Sequence, residues 1–247
     1  MKMGISRKIR EQLLILHNRG QINLGINKPG TSHNEFFYAH LPLAVIDSVF
    51  ARGQGIKATS KVVNNYCSYY SLKKNRDIDE YPPAEEQESI KQFMKKFEYE
   101  GEWEFRNNIF CSSETTSFRM DCKSKAMAVY DFSELLNLCG INYFQDVCKV
   151  LHDESFASEA VRAAGITEEG LNYFFLLSGC GTTTGIGRTM TDFVSNTAGR
   201  DVPHSFSAEV IDEVCNILRS RFPAINVRAL SYVVWDYVRR GDTLSLN

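Results

Sequence analysis

The region that most constrains the fold of this 247-residue chain runs from Val161 to Gly199. Its sequence, VRAAGITEEGLNYFFLLSGCGTTTGIGRTMTDFVSNTAG, combines apolar residues at helical spacing with glycine-rich breaks. We predict a helix that ends at a tight turn, Ala164-Gly165-Ile166, and a second helix packed against the first. A Gly/Thr loop then leads to a third helix that begins near Arg188. This region therefore predicts a helical hairpin followed by a further helix.

Helical periodicity also dominates the rest of the chain. The predicted helices cover residues 5–19, 41–50, 59–70, 89–99, 126–138, 142–151, 156–164, 207–222 and 226–240. Ser207 is the expected N-cap of one helix, and Gly20 and Gly140 are expected to end two others. Residues 73–88 are highly charged and are predicted to form a loop or linker. Because only residues 100–120 show any strand-like character, the predicted class is all-α.

The size of the chain allows one compact unit or two small lobes. We expect an N-terminal helical portion over residues 1–125, with a charged insertion at about 73–104, and a second portion over residues 126–247. The two portions are expected to form one compact unit. Residues 1–12 are polar with no apolar segment after them, and no apolar run is long enough for a membrane span. We therefore expect a cytoplasmic monomer without a membrane partner.

Seven cysteines occur without a closely spaced pair. Several lie in apolar helical contexts, such as Cys139 and Cys215, and buried free thiols are expected. Zinc and iron–sulfur sites need closely spaced ligands, so neither a metal nor another cofactor is predicted. His33 and His40, near a loop rich in Asn, Gly and Pro, are expected to be solvated.

The net charge of −2 hides a strong segregation of charges. Residues 1–61 carry nine Lys and Arg against three acids, whereas residues 77–104 carry ten acids against three Lys. We predict that the first region faces phosphate and that the second faces away from it, because only nearby charges set the field at a ligand. The alternative is two surfaces that differ only in their solvation.

The hairpin itself has the features of an anion-binding turn. The first peptide N–H groups of a helix are unpaired and carry partial positive charge, so they bind phosphate without basic side chains. Gly165, Ile166 and Thr167 form a degenerate hydrophobic-Pro-Gly-hydrophobic-Gly loop, in which Ala164 replaces the proline and Thr167 the second glycine. These residues are predicted to contact a phosphate.

A second candidate anion site precedes the third helix. The backbone of Gly185, Gly187, Arg188 and Thr189 is predicted to open that helix and to hold a phosphate. An alternative interpretation makes residues 185–188 the hairpin turn. The Gly/Thr loop is not a P-loop, because it lacks the lysine and the preceding strand.

The order of these elements resembles the helix-hairpin-helix DNA glycosylases, with an endonuclease III-like fold. The resemblance covers roughly residues 36–72 and 105–240 and is to a divergent bacterial or phage-related type without the iron–sulfur cluster. It implies a two-lobed helical fold with an inter-lobe cleft, and double-stranded DNA as the partner.

The resemblance also implies DNA contacts outside the hairpin. Gln54 matches the glutamine of the turn near the gap that an extruded base leaves, and Arg52 and Lys57 flank it. The polar stretch over residues 105–126, with Arg119 and Lys123, is similar to the segment that re-enters the helical domain. The alternatives are a solvated turn and an ordinary turn-rich loop.

Two departures from the family bear on chemistry. The lysine that gives some members lyase activity is Glu169 here, and the catalytic aspartate is Gly187. A lyase is therefore not expected, and another carboxylate must act if the protein is an enzyme. Asp192 lies five residues further along the same helix, about 140° around it. The candidate catalytic residues are Asp201, Asp192 and Asp121.

Three hypotheses for the function follow. The first is a monofunctional DNA glycosylase that hydrolyses the N-glycosidic bond of an extruded damaged or bulky modified base. The second is a non-catalytic DNA-binding module on the same scaffold. The third is an α-helical interaction protein with no nucleic-acid role.

Overall fold

The structure, a computed structural model, describes residues 2–25, 38–51, 56–76, 80–116, 123–163, 165–179, 188–223, 225 and 227–239. The described residues form ten α-helices, a few short 3₁₀- and π-helical segments and no β-strand, so the predicted all-α class is confirmed. The helices are α1 (Lys2–Asn18), α2 (Leu41–Phe50), α3 (Ile56–Tyr69), α4 (Ile90–Glu104), α5 (Lys125–Leu138), α6 (Glu154–Ala163), α7 (Glu168–Leu177), α8 (Arg188–Ala198), α9 (His204–Leu218) and α10 (Val227–Arg239).

Two of the predicted helix ends are confirmed, and one predicted helix start is wrong. Gly20 and Gly140 end α1 and α5 with φ of 70° and 73°, as predicted, because glycine adopts this left-handed conformation at little cost. The prediction that Ser207 is an N-cap is wrong. Helix α9 begins one turn earlier, after Pro203, and the Ser207 hydroxyl donates to the Pro203 carbonyl at 3.2 Å.

Two other predicted segments take a different form. The helix predicted over residues 142–151 is a 3₁₀-helix, Phe144–Val150. The segment with strand-like character is helical at its start: α4 continues through a kink at Gly101, with φ of 82°, into the π-helical turn Phe105–Ile109. Within the described ranges, β pairing is limited to two isolated bridges, Tyr38 with Asn75 and Thr115 with Ser124.

The chain divides into two compact units. Residues 1–33 and 181–247 form the terminal unit, and residues 34–180 form the central unit. This division differs from the boundary expected at residue 125, because α5 packs against α2 and α4, which precede it in the chain.

The terminal unit contains α1, α8, α9 and α10. Its core joins apolar faces from all four helices, since α1 contributes Ile9 and Leu13, α8 Phe193, α9 Val214 and α10 Leu230. Each of these side chains is almost fully buried. The N-terminal helix is therefore held by the C-terminal part of the sequence.

The central unit contains α2 to α7. All ten residues of α2 are buried, so this helix is the axis of the unit, and it contacts α3, α5 and α7. An aromatic cluster packs around Tyr66 of α3, with Phe93, Phe105 and Phe110 within 6.3 Å between ring centroids.

The cysteines depart in part from the prediction of buried free thiols. Cys67 and Cys215 are buried and free, and burial raises the pKa of their thiols to about 11 and about 12. Cys111 and Cys139 are free but exposed, because Cys139 follows the last residue of α5. Cys148 belongs to a disulfide, so the prediction is wrong for this residue.

Candidate functional site

The predicted helical hairpin is present in the central unit. Helix α6 ends at Ala163, α7 begins at Glu168, and the two helices pack against each other. Gly165 has φ of 63° in the connection, a conformation that other residues rarely adopt. Ile166 is buried beside it and anchors the turn. The tight glycine turn that the sequence predicted between the two helices is therefore present.

The N-terminus of α7 is capped by a single side chain. The Thr167 Oγ1 accepts a hydrogen bond from the N–H of Gly170 at 3.1 Å. The N–H groups of Glu168 and Glu169 come before the first intrahelical hydrogen bond, from Leu171 to Thr167, so the helix itself gives them no partner, as at helix ends that bind an anion. The exposed carboxylate of Glu168 opposes that anion, because it interacts with the same end of the helix dipole.

A small pocket lies next to the hairpin turn. It has room for about one water-sized group. It is lined by residues from α2, from the segment before α5, from α5 and from the hairpin, namely Ser48, Val49, Thr116, Lys125, Gly165, Ile166, Thr167 and Gly170. Among these described residues, Lys125 is the only charged one. The pocket thus combines a cation, hydroxyl groups and the N-terminus of a helix.

Lys125 is held in this pocket by several contacts. Its Nζ donates to Glu114 Oε2 at 2.8 Å and to the carbonyl oxygen of Phe50 at 3.3 Å. It also lies 5.5 Å from the centre of the Phe50 ring. The Lys125 side chain is 4% exposed, whereas that of Glu114 is 43% exposed. The cation is therefore buried, and its anionic partner faces solvent.

Two other groups of buried polar side chains stabilise the central unit. In the first, Asp47 of α2 accepts hydrogen bonds from the hydroxyls of Tyr38, at 2.9 Å, and of Tyr173 in α7, at 3.1 Å. All three residues are buried. Asp47 therefore positions α7 against α2.

The second group surrounds Glu88. Its carboxylate accepts from the Tyr66 hydroxyl at 2.8 Å and forms an ion pair with Lys96, whose ammonium lies 4.0 Å from the centre of the Tyr70 ring. Burial raises the pKa of the Glu88 carboxyl, although Lys96 and Tyr66 act against this shift. The backbone N–H of Glu88 donates to His40 Nδ1 at 2.8 Å.

The expectation that His40 is solvated is wrong. The residue is 6% exposed, and its Nε2 lies outside hydrogen-bond geometry with any described protein atom. Burial, aided by the charge of Lys96, lowers the pKa of His40 to about 4, although the nearby Lys73 carbonyl raises it slightly. His40 is therefore neutral at pH 7. No local sequence signal indicates this burial, because the hydrogen-bond partner of His40, Glu88, lies 48 residues further along the chain.

The predicted catalytic residues have different positions. Asp192 lies on α8 and Asp201 lies just before α9, both exposed in the terminal unit. Neither makes a hydrogen bond or an ion pair with the part of the chain that the structure describes. Asp121 lies outside the described residues.

Only some of the predicted DNA-binding residues lie in the part of the chain that the structure describes. Gly165, Ile166 and Thr167 line the pocket. Lys57 lies in α3, and Arg188 and Thr189 begin α8. Lys123 is exposed and forms an ion pair with Asp131. The remaining predicted contacts lie outside the described residues, namely Arg52, Gln54, Arg119, Gly185 and Gly187.

The predicted basic region near the N-terminus is partly neutralised. On α1, Lys2 forms an ion pair with Glu209 of α9, and Arg7 with Glu11, both at 2.9 Å. The positive charge that the sequence places on this helix is thus shared with acids of the same unit. The field of α1 is weaker than a count of charges indicates.

The chain belongs to a family described as a domain of unknown function, DUF8548, whose model matches residues 21–239. No curated protein and no solved structure matches the chain. Among the described helices, none is both long and apolar enough to cross a membrane.

Proposed function

We propose that this member of the DUF8548 family binds double-stranded DNA, with the hairpin between α6 and α7 holding a backbone phosphate. The scaffold is a two-lobed, helix-hairpin-helix glycosylase-like fold. The observation that carries the proposal is the pocket beside Gly165. It brings the buried ammonium of Lys125 to the N-terminus of α7, next to the hydroxyls of Thr116 and Thr167.

The chemistry of the pocket favours a phosphate over a neutral ligand. Unpaired N–H groups at the start of a helix, a cation and hydroxyl donors all stabilise negative charge on oxygen. The pocket is small, and Thr116 lies against Gly165, with atoms 3.6–3.8 Å from the place where a Cβ on Gly165 would be. A single phosphate at the protein surface fits this arrangement better than a large organic group. Binding to phosphates alone is expected to be independent of base sequence and sensitive to salt.

A fluorescently labelled duplex tests this proposal by anisotropy at increasing salt concentrations. We expect Thr167→Ala to weaken binding severalfold, because the variant loses a hydroxyl and the cap that shapes the turn. Ser89→Ala is the matched control: it removes an N-cap hydroxyl from α4 in the same unit, away from the pocket. The proposal fails if the wild-type protein does not bind DNA at low salt, or if both variants weaken binding equally.

A second candidate function is the excision of an extruded base, by hydrolysis without lyase activity. The exposed carboxylates of Asp192 and Asp201 favour it, because neither is used in an ion pair with the described residues. Such a carboxylate stabilises the cation-like sugar and orients water. Duplexes with damaged or bulky modified bases, treated with alkali after incubation, would reveal abasic sites. Of Asp201→Asn and Asp192→Asn, the variant that removes the catalytic carboxylate is expected to lose base excision but to keep DNA binding. The absence of abasic sites on every duplex would exclude this function.

A further inference from the structure

The segment Ser112–Thr116 lies against the hairpin turn and the start of α5. The Thr116 N–H donates to the Lys123 carbonyl oxygen at 3.0 Å, and the Lys125 N–H donates to the Glu114 carbonyl oxygen at 2.9 Å. Thr116 also packs on Gly165, so that a methyl group there would contact it. The segment is therefore held at the pocket from two sides.

The side chain of Glu114 projects from this segment to Lys125. Its carboxylate is the charged partner of the buried ammonium, and it is itself 43% exposed. The ammonium also donates to the Phe50 carbonyl oxygen, which is fixed in the backbone at the end of α2. Glu114 can therefore leave without unfolding a helix, whereas Phe50 cannot.

The size of the pocket decides what a ligand must do to enter. Its free space admits about one water-sized group, which is less than a phosphate needs. A phosphate that reaches Lys125 must displace an atom of the pocket wall. We expect the Glu114 carboxylate to be displaced, because it is negatively charged like the phosphate and faces solvent.

We infer that Glu114 is an internal substitute for the ligand phosphate: it occupies Lys125 in the free protein, and a bound phosphate displaces it. This inference rests on the proposed phosphate site at the hairpin and names the residue that regulates it. Displacement exchanges one anion for another on a buried cation, so Lys125 is never left without a counter-charge. The carboxylate thereby lowers the affinity of the site while it protects the fold.

The test compares Glu114→Gln with the wild-type protein. The amide keeps an oxygen acceptor for Lys125 but removes the competing charge. We expect phosphate affinity to increase about fivefold at low salt, the scale of a partly exposed ion pair. Glu134→Gln is the control, because it removes the same charge from an exposed position of α5. All three proteins are titrated with a short labelled duplex and, separately, with inorganic pyrophosphate, and binding is followed by the amide resonances of Gly165, Ile166 and Gly170.

Each outcome decides between the inference and the proposed function. Tighter binding of both probes by Glu114→Gln, but not by Glu134→Gln, supports both. DNA binding that is equal in all three proteins overturns the inference and leaves the DNA-binding function intact. Tighter pyrophosphate binding at the hairpin without DNA binding supports the inference and overturns the function. No binding of either probe overturns both.

Discussion

Two Glu–Lys ion pairs in the central unit differ in which partner is buried. In the pair of Glu88 with Lys96, the acid is buried, with 4% of its side chain exposed, and the base reaches the surface. In the pair of Glu114 with Lys125, the base is buried and the acid faces solvent. The buried Glu88 is an acid and repels an anionic ligand. The buried Lys125 is a cation next to the N-terminus of α7, so it attracts one.

The surroundings of the two pairs differ as well. Glu88 is enclosed by Tyr66, which donates to it, and Lys96 is covered on one side by the Tyr70 ring. Lys125 instead borders the small pocket beside the hairpin turn. A Glu–Lys ion pair therefore stabilises the fold at Glu88 and provides a candidate binding site at Lys125. The difference depends on whether the acid or the base of the pair is buried.

Removal of the buried acid is expected to have the largest effect. Glu88→Ala leaves the buried hydroxyl of Tyr66 without its acceptor and Lys96 without its partner. We expect a loss of about 3 kcal/mol in the free energy of unfolding, measured with urea at pH 7. Glu114→Gln, at the exposed end of the other pair, is expected to cost less than about 1 kcal/mol.

The contrast between the pairs requires that these two losses differ. Glu88→Gln is the control, because it keeps an acceptor for Tyr66 and should lose less stability than Glu88→Ala. Equal losses for Glu88→Ala and Glu114→Gln would show that burial of the acid does not distinguish the two pairs.

The histidine beside Glu88 is expected to make stability depend on pH. Its pKa is about 4 in the folded protein, below the ordinary value of 6.5, so the unfolded chain binds a proton that the folded chain does not. Stability should therefore fall as the pH decreases from about 6.5 to about 4. We expect a loss of about 1–2 kcal/mol, because the raised pKa of the neighbouring Glu88 carboxyl offsets part of the effect.

His40→Asn isolates this contribution. The amide oxygen of asparagine can accept the Glu88 N–H in place of Nδ1, but the side chain does not titrate. Urea unfolding of both proteins at several pH values should show a shallower slope for the variant between pH 6.5 and 4. Glu88 opposes the trend in both proteins, because its raised pKa adds stability as the pH falls. Parallel slopes would refute the assignment to His40.

The smallest expected effect concerns the charge at the start of α7. Glu168→Gln removes a carboxylate next to the proposed phosphate, and we expect the dissociation constant for a duplex to fall about twofold at low salt. Glu154→Gln is the matched control, since Glu154 begins α6 in the same unit and is also exposed. An equal change in the dissociation constant of both variants would mean that only the net charge matters. The effect would then not be specific to the hairpin.

Much of the local structure was predictable from the sequence. The bounds of α2 match the prediction, since Pro42 and a continuous apolar segment define them. The turn at Gly165 was also recognised, because a glycine between two periodic segments needs no knowledge of distant contacts. The start of α9 was missed because Pro203 and Ser207 are both acceptable helix starts, and the serine is the stronger N-cap residue.

The candidate site was predictable only in its hairpin portion. Ser48 comes from α2, Thr116 from the segment before α5, and Lys125 from α5. Nothing in their spacing relates them to each other. Glu114 was not predicted to have any role, because its partner was not identifiable before the helices packed.

The sequence by itself determined the all-α class, most of the helices and the glycine turn of the hairpin, because periodicity and backbone conformation are local properties. Only the tertiary structure decided that Lys125 is buried at the hairpin with Glu114 exposed, and that Glu88 is buried with Lys96 near the surface. Burial depends on which surfaces pack together, and it sets the cost of each charge and its access to a ligand. The hairpin is thus a local feature, and its candidate phosphate site is a product of packing.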